Sequence, residues 1–173
     1  MLSFHKAELS DAAAIAELVN TAYRGENSRA GWTTEADLLD GLRITTQEVA
    51  TLIRRDDAFV LVGVLRDQVV ASIACERLEN TAKFALIAVK PTLQNNGYGR
   101  EMIQAAEAIT TREWRVAGFF MSVITLRTEL IEFYERLGFE RSGQFEDFPE
   151  KPDLWQPKVQ PLALEYLVKL TRR

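Results

Sequence analysis

Two glycines, Gly97 and Gly99, stand where a strand is predicted to run into a helix. The apolar strand ends at Val89, Pro91 breaks it, and an amphipathic helix begins directly after the polar turn. A turn of this type directs several backbone N–H groups and the positive end of a helix dipole into one small volume. Glycine is needed there because the backbone must approach a ligand closely or adopt a positive φ. The sequence therefore predicts a binding site for a phosphate or diphosphate.

Two other phosphate-binding motifs fit this turn poorly. A P-loop needs Gly-Lys followed by Ser or Thr at the start of the helix, whereas Gly99 is followed here by Arg100 and Glu101. A dinucleotide fingerprint needs a third glycine, and Met102 occupies that position. The sequence therefore favours neither motif.

The surroundings of the turn are more specific than the glycines alone. A strand, a Val-x-Pro step and the turn Gln94-x-x-Gly97-x-Gly99 precede the helix, and Phe-Tyr-Glu-Arg-Leu-Gly-Phe follows at 133–139. This combination resembles the GNAT superfamily of acyl-CoA-dependent N-acyltransferases, whose signature turn is (Q/R)-x-x-G-x-(G/A). The resemblance covers the whole chain and implies acetyl-CoA as co-substrate, with no metal.

The resemblance also implies which residues contact the cofactor. In this superfamily the pantetheine arm lies between two splayed central strands and pairs with the backbone of the first, and the turn surrounds the diphosphate. The implied cofactor-binding residues are Ile87, Ala88, Val89, Gln94, Asn95, Asn96, Gly97, Tyr98, Gly99, Arg100 and Arg127.

Tyr134 matches the family tyrosine that faces the cofactor sulfur. Because a tyrosine titrates near 10 and a thiol near 8.5, complete proton transfer to the departing thiolate would cost about 2 kcal/mol. We therefore expect its hydroxyl to hydrogen-bond the developing thiolate, or to protonate it as the intermediate collapses. Many relatives carry an asparagine seven residues before this tyrosine, where this chain has Arg127. That arginine could reach a cofactor phosphate or an anionic group of the acceptor, or be exposed.

The sequence does not identify a base for the acceptor. Deprotonating an alkylamine of pKa about 10.4 at neutral pH costs about 4–5 kcal/mol. Some relatives carry a carboxylate on the strand before the turn or on the strand after it, but this chain has Lys83 and Ser122 there. The remaining candidates are Glu76, Glu26, Glu35 or a chain of water molecules.

Four residues are predicted to contact the acceptor: Trp32, Glu35, Glu76 and Trp155. The tryptophans and the acidic segment 145–153 indicate a pocket for a small cationic or amphipathic amine.

Composition restricts the other classes of function. The net charge of −4 gives no basic field for nucleic acid or an anionic membrane. One cysteine, Cys75, and one histidine, His5, argue against an internal disulfide and the usual zinc sites. Cys75 lies in an apolar strand without basic neighbours, which favours a core residue over a nucleophile. We expect one domain over 1–173, without a signal peptide or membrane span, in the cytoplasm.

Periodicity and the resemblance together predict the fold. The class is α/β (α+β), with a mixed, mostly antiparallel central sheet of about seven strands, flanked by helices and splayed at its centre. Strands are predicted over 2–8, 58–65, 69–78, 81–89, 117–125, 139–145 and 162–170. Helices are predicted from Ser10 or Asp11 to Gly25, over 34–42, over 45–55, after Gly99 and over 128–137.

The C-terminal part carries two further predictions. The segment 145–161 holds four of the five prolines and is predicted to be irregular, with a functional or interface role. In the last strand, alternation places Leu162, Leu164, Tyr166, Val168 and Leu170 on the buried face and Glu165 and Lys169 on a wetter face.

Three hypotheses for function follow. The first is an N-acetyltransferase that moves an acetyl group from acetyl-CoA to a primary amine of a small molecule or peptide, by direct attack in a ternary complex. The alternative is a non-catalytic CoA-binding sensor or interaction module on the same fold, because the base carboxylates are missing. The third is a structural homodimer built on the last strand.

Overall fold

A computed structural model describes residues 1–172. The helices are α1 (Ala12–Tyr23), α2 (Thr46–Arg54), α3 (Tyr98–Trp114) and α4 (Thr128–Arg136). The strands are β1 (Ser3–Lys6), β2 (Leu39–Gly41), β3 (Ala58–Leu65), β4 (Gln68–Leu78), β5 (Thr81–Val89), β6 (Gly118–Ile124), β7 (Glu140–Asp147), β8 (Trp155–Pro157) and β9 (Ala163–Leu170). Short 3₁₀ turns cover Leu9–Asp11, Glu26–Ala30 and Pro91–Leu93.

Seven strands form one sheet in the order β1-β3-β4-β5-β6-β9-β7, and β2 pairs separately with β8. Neighbouring strands of the large sheet are antiparallel, except that β5 and β6 are parallel. The predicted fold class is therefore confirmed. Because β9 is paired on both edges, it cannot join a second copy of the chain by edge-to-edge pairing.

The two central strands diverge along their length. β5 and β6 pair only where Thr81–Lys83 lie beside Gly118–Phe120. A bulge accompanies the divergence, because the register between β4 and β5 shifts near Ser72 and Leu86 has a φ of 51°. The Ser72 hydroxyl donates to the Leu86 carbonyl at 3.1 Å, which stabilises the bulge. The predicted splay is present, and its gap opens towards the glycine turn.

Helices cover both faces of the sheet. Met102 of α3 and Leu130 of α4 belong to the core cluster on one face, and Ile15 of α1 and Val49 of α2 belong to the cluster on the other. Both faces of β5 are therefore covered, as predicted for a central strand. Cys75 is fully buried in the first cluster, and burial raises the pKa of its thiol. It is a core residue rather than a nucleophile.

The predicted helix over 45–55 is confirmed, because its capping box forms. The Thr45 hydroxyl accepts a hydrogen bond from the Glu48 N–H at 3.2 Å, and the Glu48 carboxylate accepts one from the Thr45 N–H at 2.9 Å.

The predicted helix over 34–42 is wrong. The chain makes one turn there, in which the Leu39 N–H donates to the Glu35 carbonyl at 3.0 Å, and then extends as β2. Leu39 is buried against Trp155 and Leu162. Pairing with a segment more than 100 residues away therefore overrides the local capping signal.

The prediction that 145–161 is irregular throughout is also wrong, because β8 lies within this segment. The partner strand ends at Gly41, where a Cβ atom would collide with the carbonyl oxygen of Leu154. The glycine permits this close approach. No sequence pattern within 145–161 indicates that β8 pairs with β2.

The predicted faces of the last strand are correct for Leu162 and Leu164, which are buried, but wrong for the residues that follow. Glu165 is 1% exposed and Leu167 is fully buried, whereas Leu170 is 80% exposed. The buried carboxylate accepts hydrogen bonds from Arg141 at 2.6 and 2.9 Å, and this contact lowers the pKa of Glu165. The alternation predicts Glu165 on the solvent-facing side, because its partner Arg141 lies on the neighbouring strand and does not enter the local pattern.

Candidate active site

The glycine turn presents a bare helix N-terminus. Gly97, the residue before α3, has a φ of 83° and a ψ of −1°, and no side chain caps the helix. Asn95 also has a positive φ, of 66°. The side-chain amide of Asn96 donates to the carbonyls of Leu93 and Gln94 and fixes the turn. Since the first amides of an α-helix have no partner within the helix, those at the start of α3 are available to an anion.

A cavity of about 430 Å³, here called the turn cavity, runs from this helix N-terminus towards the gap between β5 and β6. The turn, β5 and α4 all contribute to its wall. Its lining includes Gly97, Tyr98, Gly99, Arg100, Ile87, Val89, Phe133 and Tyr134. This shape can hold an elongated ligand with an anionic group at the turn.

The backbone of β5 offers an unpaired edge to this gap. The Lys90 N–H donates to the Val70 carbonyl, so alternate backbone groups face β4. Ile87 and Val89 face the other way, where β6 has diverged. The Ile87 carbonyl accepts a hydrogen bond from the Tyr23 hydroxyl. Part of this edge is therefore open to a ligand.

A second cavity of about 220 Å³, here called the gap cavity, also reaches the divergence of β5 and β6. It is lined by residues of both strands, by Glu35, Arg43 and Arg127, and by the segment 146–155. The two cavities share four lining residues, which are Tyr23, Ile87, Leu130 and Tyr134. They therefore meet around these side chains.

Tyr134 lies at this meeting point with a free hydroxyl. It is 3% exposed, and its ring packs between Phe133 and Phe139, with centroid distances of 5.4 and 6.2 Å. Within residues 1–172, no group forms a hydrogen bond with its hydroxyl. Burial, followed by the neighbouring Tyr23, raises the pKa of Tyr134 well above its ordinary value. The group is thus fixed, protonated and able to donate to a ligand.

A buried ionic group forms one side of the gap cavity. Glu35 accepts from Arg24 through one carboxylate oxygen and from Arg127 through the other, each at 3.3 Å. Arg127 also donates to the Thr33 carbonyl at 2.6 Å. Both oxygens of Glu35 are therefore engaged, which leaves it poorly placed to accept a proton from a ligand.

Comparisons with known proteins identify this arrangement. The family model described as acetyltransferase (GNAT) domain matches residues 56–141, which include the splayed strand, the glycine turn and Tyr134.

This chain belongs to the GNAT acetyltransferase family.

Solved GNAT structures share the fold over nearly the whole chain. The ribosomal-protein-S18-alanine N-acetyltransferase of Escherichia coli is 14% identical, with a TM-score of 0.74, and the match covers 100% of this chain and 96% of that one. The yncA protein of Salmonella typhimurium, solved with its cofactor acetyl-CoA, is 17% identical, with a TM-score of 0.70. The match covers 99% of this chain and 95% of that one. The ribosomal-protein-alanine N-acetyltransferase of Brucella melitensis is 19% identical, with a TM-score of 0.72. The match covers 98% of this chain and 100% of that one. No curated protein sequence matches this chain.

The GNAT family uses acetyl-CoA as co-substrate. In the described residues 1–172, no cluster of three or more His, Cys, Asp or Glu side chains could hold a metal ion. None of the helices described is long and apolar enough to cross a membrane.

The structure separates the sequence-predicted site residues into three groups. Those lining the turn cavity are Ile87, Val89, Gln94, Asn95, Gly97, Tyr98, Gly99, Arg100, Tyr134 and Trp32. Those that line only the gap cavity are Glu35, Arg127 and Trp155. Ala88, Asn96 and Glu76 line neither cavity. The structure thus brings most of the predicted cofactor residues together.

Two of these placements differ from the roles expected from the sequence. Arg127 is buried against Glu35 in the wall of the gap cavity rather than at the glycine turn. Glu76 forms an ion pair with Arg55 at 2.7 Å, which removes it from the candidate bases. Glu26 also pairs with an arginine, Arg29, on the surface.

Gln94 connects the turn to the loop before β2. Its side-chain oxygen accepts from the Trp32 N–H at 2.8 Å, and its amide donates to the Thr33 hydroxyl at 2.8 Å and to the Val89 carbonyl at 3.1 Å. Gly31 makes room for this side chain, because a Cβ there would collide with it. Gln94 therefore positions Trp32 over the turn cavity.

Replacing Gln94 with alanine should loosen this loop. The change removes three hydrogen bonds, each contributing about 1 kcal/mol, so the free energy of unfolding should fall by about 2–3 kcal/mol. Urea denaturation measures this loss, with Gln104→Ala on α3 as the control. Equal stability of the two variants would show that the Gln94 contacts do not hold the loop.

Sequence reasoning missed three residues of the site. Tyr23 and Arg43 lie outside the family signature, and nothing in their local sequence marks them. Arg136 lines the turn cavity together with Arg100. Its position two residues after Tyr134, within the same motif, was a usable signal.

Proposed function

We propose that this acetyltransferase moves the acetyl group of acetyl-CoA to a primary amine of a small molecule or peptide, by direct attack in a ternary complex. The observation that carries the proposal is the meeting of two cavities at the free hydroxyl of Tyr134. One cavity ends at a bare helix N-terminus and the other contains charged side chains. Two substrates can therefore approach one proton donor from separate cavities.

The residues of the turn cavity fit acetyl-CoA. The amides at the start of α3, with Arg100 and Arg136 nearby, would hold the diphosphate. The backbone groups of Ile87 and Val89 that the Tyr23 and Gln94 side chains leave free would pair with the amide groups of the pantetheine arm. Acetyl-CoA supplies the acyl group as a thioester.

Tyr134 is proposed to act on the sulfur side of the reaction. As the amine nitrogen bonds to the carbonyl carbon and the carbon–sulfur bond breaks, negative charge develops on sulfur. The Tyr134 hydroxyl donates a hydrogen bond to that charge. Because burial raises its pKa, it remains a hydrogen-bond donor at neutral pH. The departing thiol finally takes up one proton, and the amine loses one.

The amine is proposed to lose its proton to solvent. Among the described residues, the carboxylates named as candidate bases all form ion pairs with arginines. The enzyme would then act on the small neutral fraction of the amine, so its rate should rise with pH in the neutral range.

A thiol-release assay tests the proposal. The protein is incubated with acetyl-CoA and a panel of amines that includes amino acids, amino amides, polyamines and short peptides. Mass spectrometry should find an N-acetyl product for each amine that releases thiol. Tight binding of acetyl-CoA, with no product from any amine, would overturn the enzyme proposal in favour of the CoA-binding module.

We further propose that the acetyltransferase domain spans residues 1–173 and works in the cytoplasm. A buried, unpaired cysteine is consistent with a reducing compartment.

A further inference from the structure

The gap cavity contains cationic side chains that have no anionic partner. Arg43 and Lys83 both line it and are half-buried. Within residues 1–172, neither side chain forms an ion pair with a carboxylate. Glu76 stands directly across from Lys83 on β4, but its carboxylate pairs with Arg55 at 2.7 Å.

A third cation lies directly behind this lining. The side chain of Arg24 is 2% exposed, bonds to Glu35, and stacks over the Trp155 ring at 5.5 Å. Glu35 and Trp155 both line the gap cavity. The Nη2 atom of Arg24 is buried and has no hydrogen-bond partner among the residues described. An incompletely satisfied buried guanidinium is costly, because it has lost its hydration without full compensation.

The acids near this cavity do not balance the cations. Glu35 is shared between Arg24 and Arg127. Of the acids in the segment 145–153, Glu146 alone lines the cavity, and it is exposed. Apart from Glu146, the acids of this segment therefore do not line the gap cavity. The cavity has an excess of positive charge at half-buried and buried positions.

We infer that the acceptor is a small amine that also carries an anionic group, such as an amino acid, and that Arg43 and Lys83 bind this anion. The inference rests on the proposed acetyl transfer at Tyr134. The cavity volume of about 220 Å³ lies below the roughly 300–1,000 Å³ of sites for drug-sized ligands, which favours a single small molecule. A carboxylate is the expected anion, since guanidinium and ammonium groups both donate strongly to it.

Ligand binding tests the anion site without requiring turnover. Calorimetry in the presence of CoA compares N-acetylglycine, N-acetylleucine, N-acetylmethionine and N-acetylphenylalanine with the corresponding N-acetyl amides. At least one acid should bind about tenfold or more tightly than its amide. Arg43→Gln or Lys83→Gln should weaken binding of the acid about ten- to hundredfold and leave binding of the amide unchanged.

Arg77→Gln provides the matched control, because Arg77 is exposed on β4 and lines neither cavity. It should bind the acids as the wild type does. The inference is overturned if no acid binds better than its amide, or if Arg77→Gln weakens the acids as much as Arg43→Gln.

Measurements of turnover distinguish a failure of this inference from a failure of the proposed function. Free amino acids should release thiol from acetyl-CoA faster than their amides in the wild type, and Arg43→Gln should reduce that preference about tenfold or more. Equal rates for acids and amides would overturn the anion site while acetyl transfer stands. Selective binding of the acids with no thiol release from any amine would support the anion site and overturn the proposed function.

Discussion

Gly97→Val should lower the affinity for acetyl-CoA at least about a hundredfold, which corresponds to about 2.7 kcal/mol, while the protein remains folded. Gly97 has a φ of 83°, and a Cβ atom there would meet no protein atom within 4 Å. The substitution therefore costs backbone strain of about 1–2 kcal/mol but creates no internal clash. Its effect on binding arises because Gly97 lines the turn cavity, where the added side chain would compete with the ligand. Isothermal calorimetry measures the loss.

Gly143→Val separates obstruction of the ligand from general strain. Gly143 has a φ of 72°, and a Cβ atom there would also meet nothing within 4 Å. It lies in β7 and lines neither cavity. This variant should lose a similar amount of stability yet bind acetyl-CoA normally. If both folded variants bind as the wild type does, the turn is not the diphosphate site.

Tyr134→Phe should lower kcat about 100- to 1,000-fold and leave the Kd for acetyl-CoA nearly unchanged. The substitution removes a hydroxyl that forms no hydrogen bond with the residues described, so stability should change by less than about 1 kcal/mol. Steady-state thiol release and thermal unfolding measure the two effects. Tyr166→Phe is the control, because Tyr166 lines neither cavity.

The pH dependence gives a second test of Tyr134. Because its pKa is raised, the donor form persists from low pH to beyond 10, and activity should not decline through loss of this proton as the pH rises to about 10. The rate should instead increase with pH as the amine becomes neutral. A fall in kcat between about pH 8 and 9 would show that a different, more acidic group supplies the proton.

The parts of the site that are local in sequence could be predicted from the sequence. Gly97 and Gly99 are separated by one residue, and their positions between a strand and a helix specify the turn. The position of Tyr134 followed from a second short motif that resembles the family. The central position of β5 in the sheet could be predicted because both faces of this strand are apolar.

The charged group beside the gap cavity could not be predicted, because it is assembled from distant segments. Arg24, Glu35 and Arg127 form one buried group although up to 103 positions separate them in the chain. Each of these residues, read alone, looks like a solvated surface charge. The burial of Glu165 depends in the same way on Arg141 of the neighbouring strand.

The extra residue at Leu86 decides which cavity the odd-numbered positions of β5 face. Lys83 and Ala85 line the gap cavity, whereas Val89 lines only the turn cavity, although an unbroken alternation would put all three on one face. The bulge reverses the alternation of side chains between Ala85 and Ile87, so that these two residues face opposite sides of the sheet. A single strand thereby lines the gap cavity at Lys83 and Ala85 and the turn cavity at Val89. Deleting this one residue would turn Ile87 and Val89 towards α1, so the length of chain between Lys83 and the glycine turn determines which side chains of β5 reach each cavity.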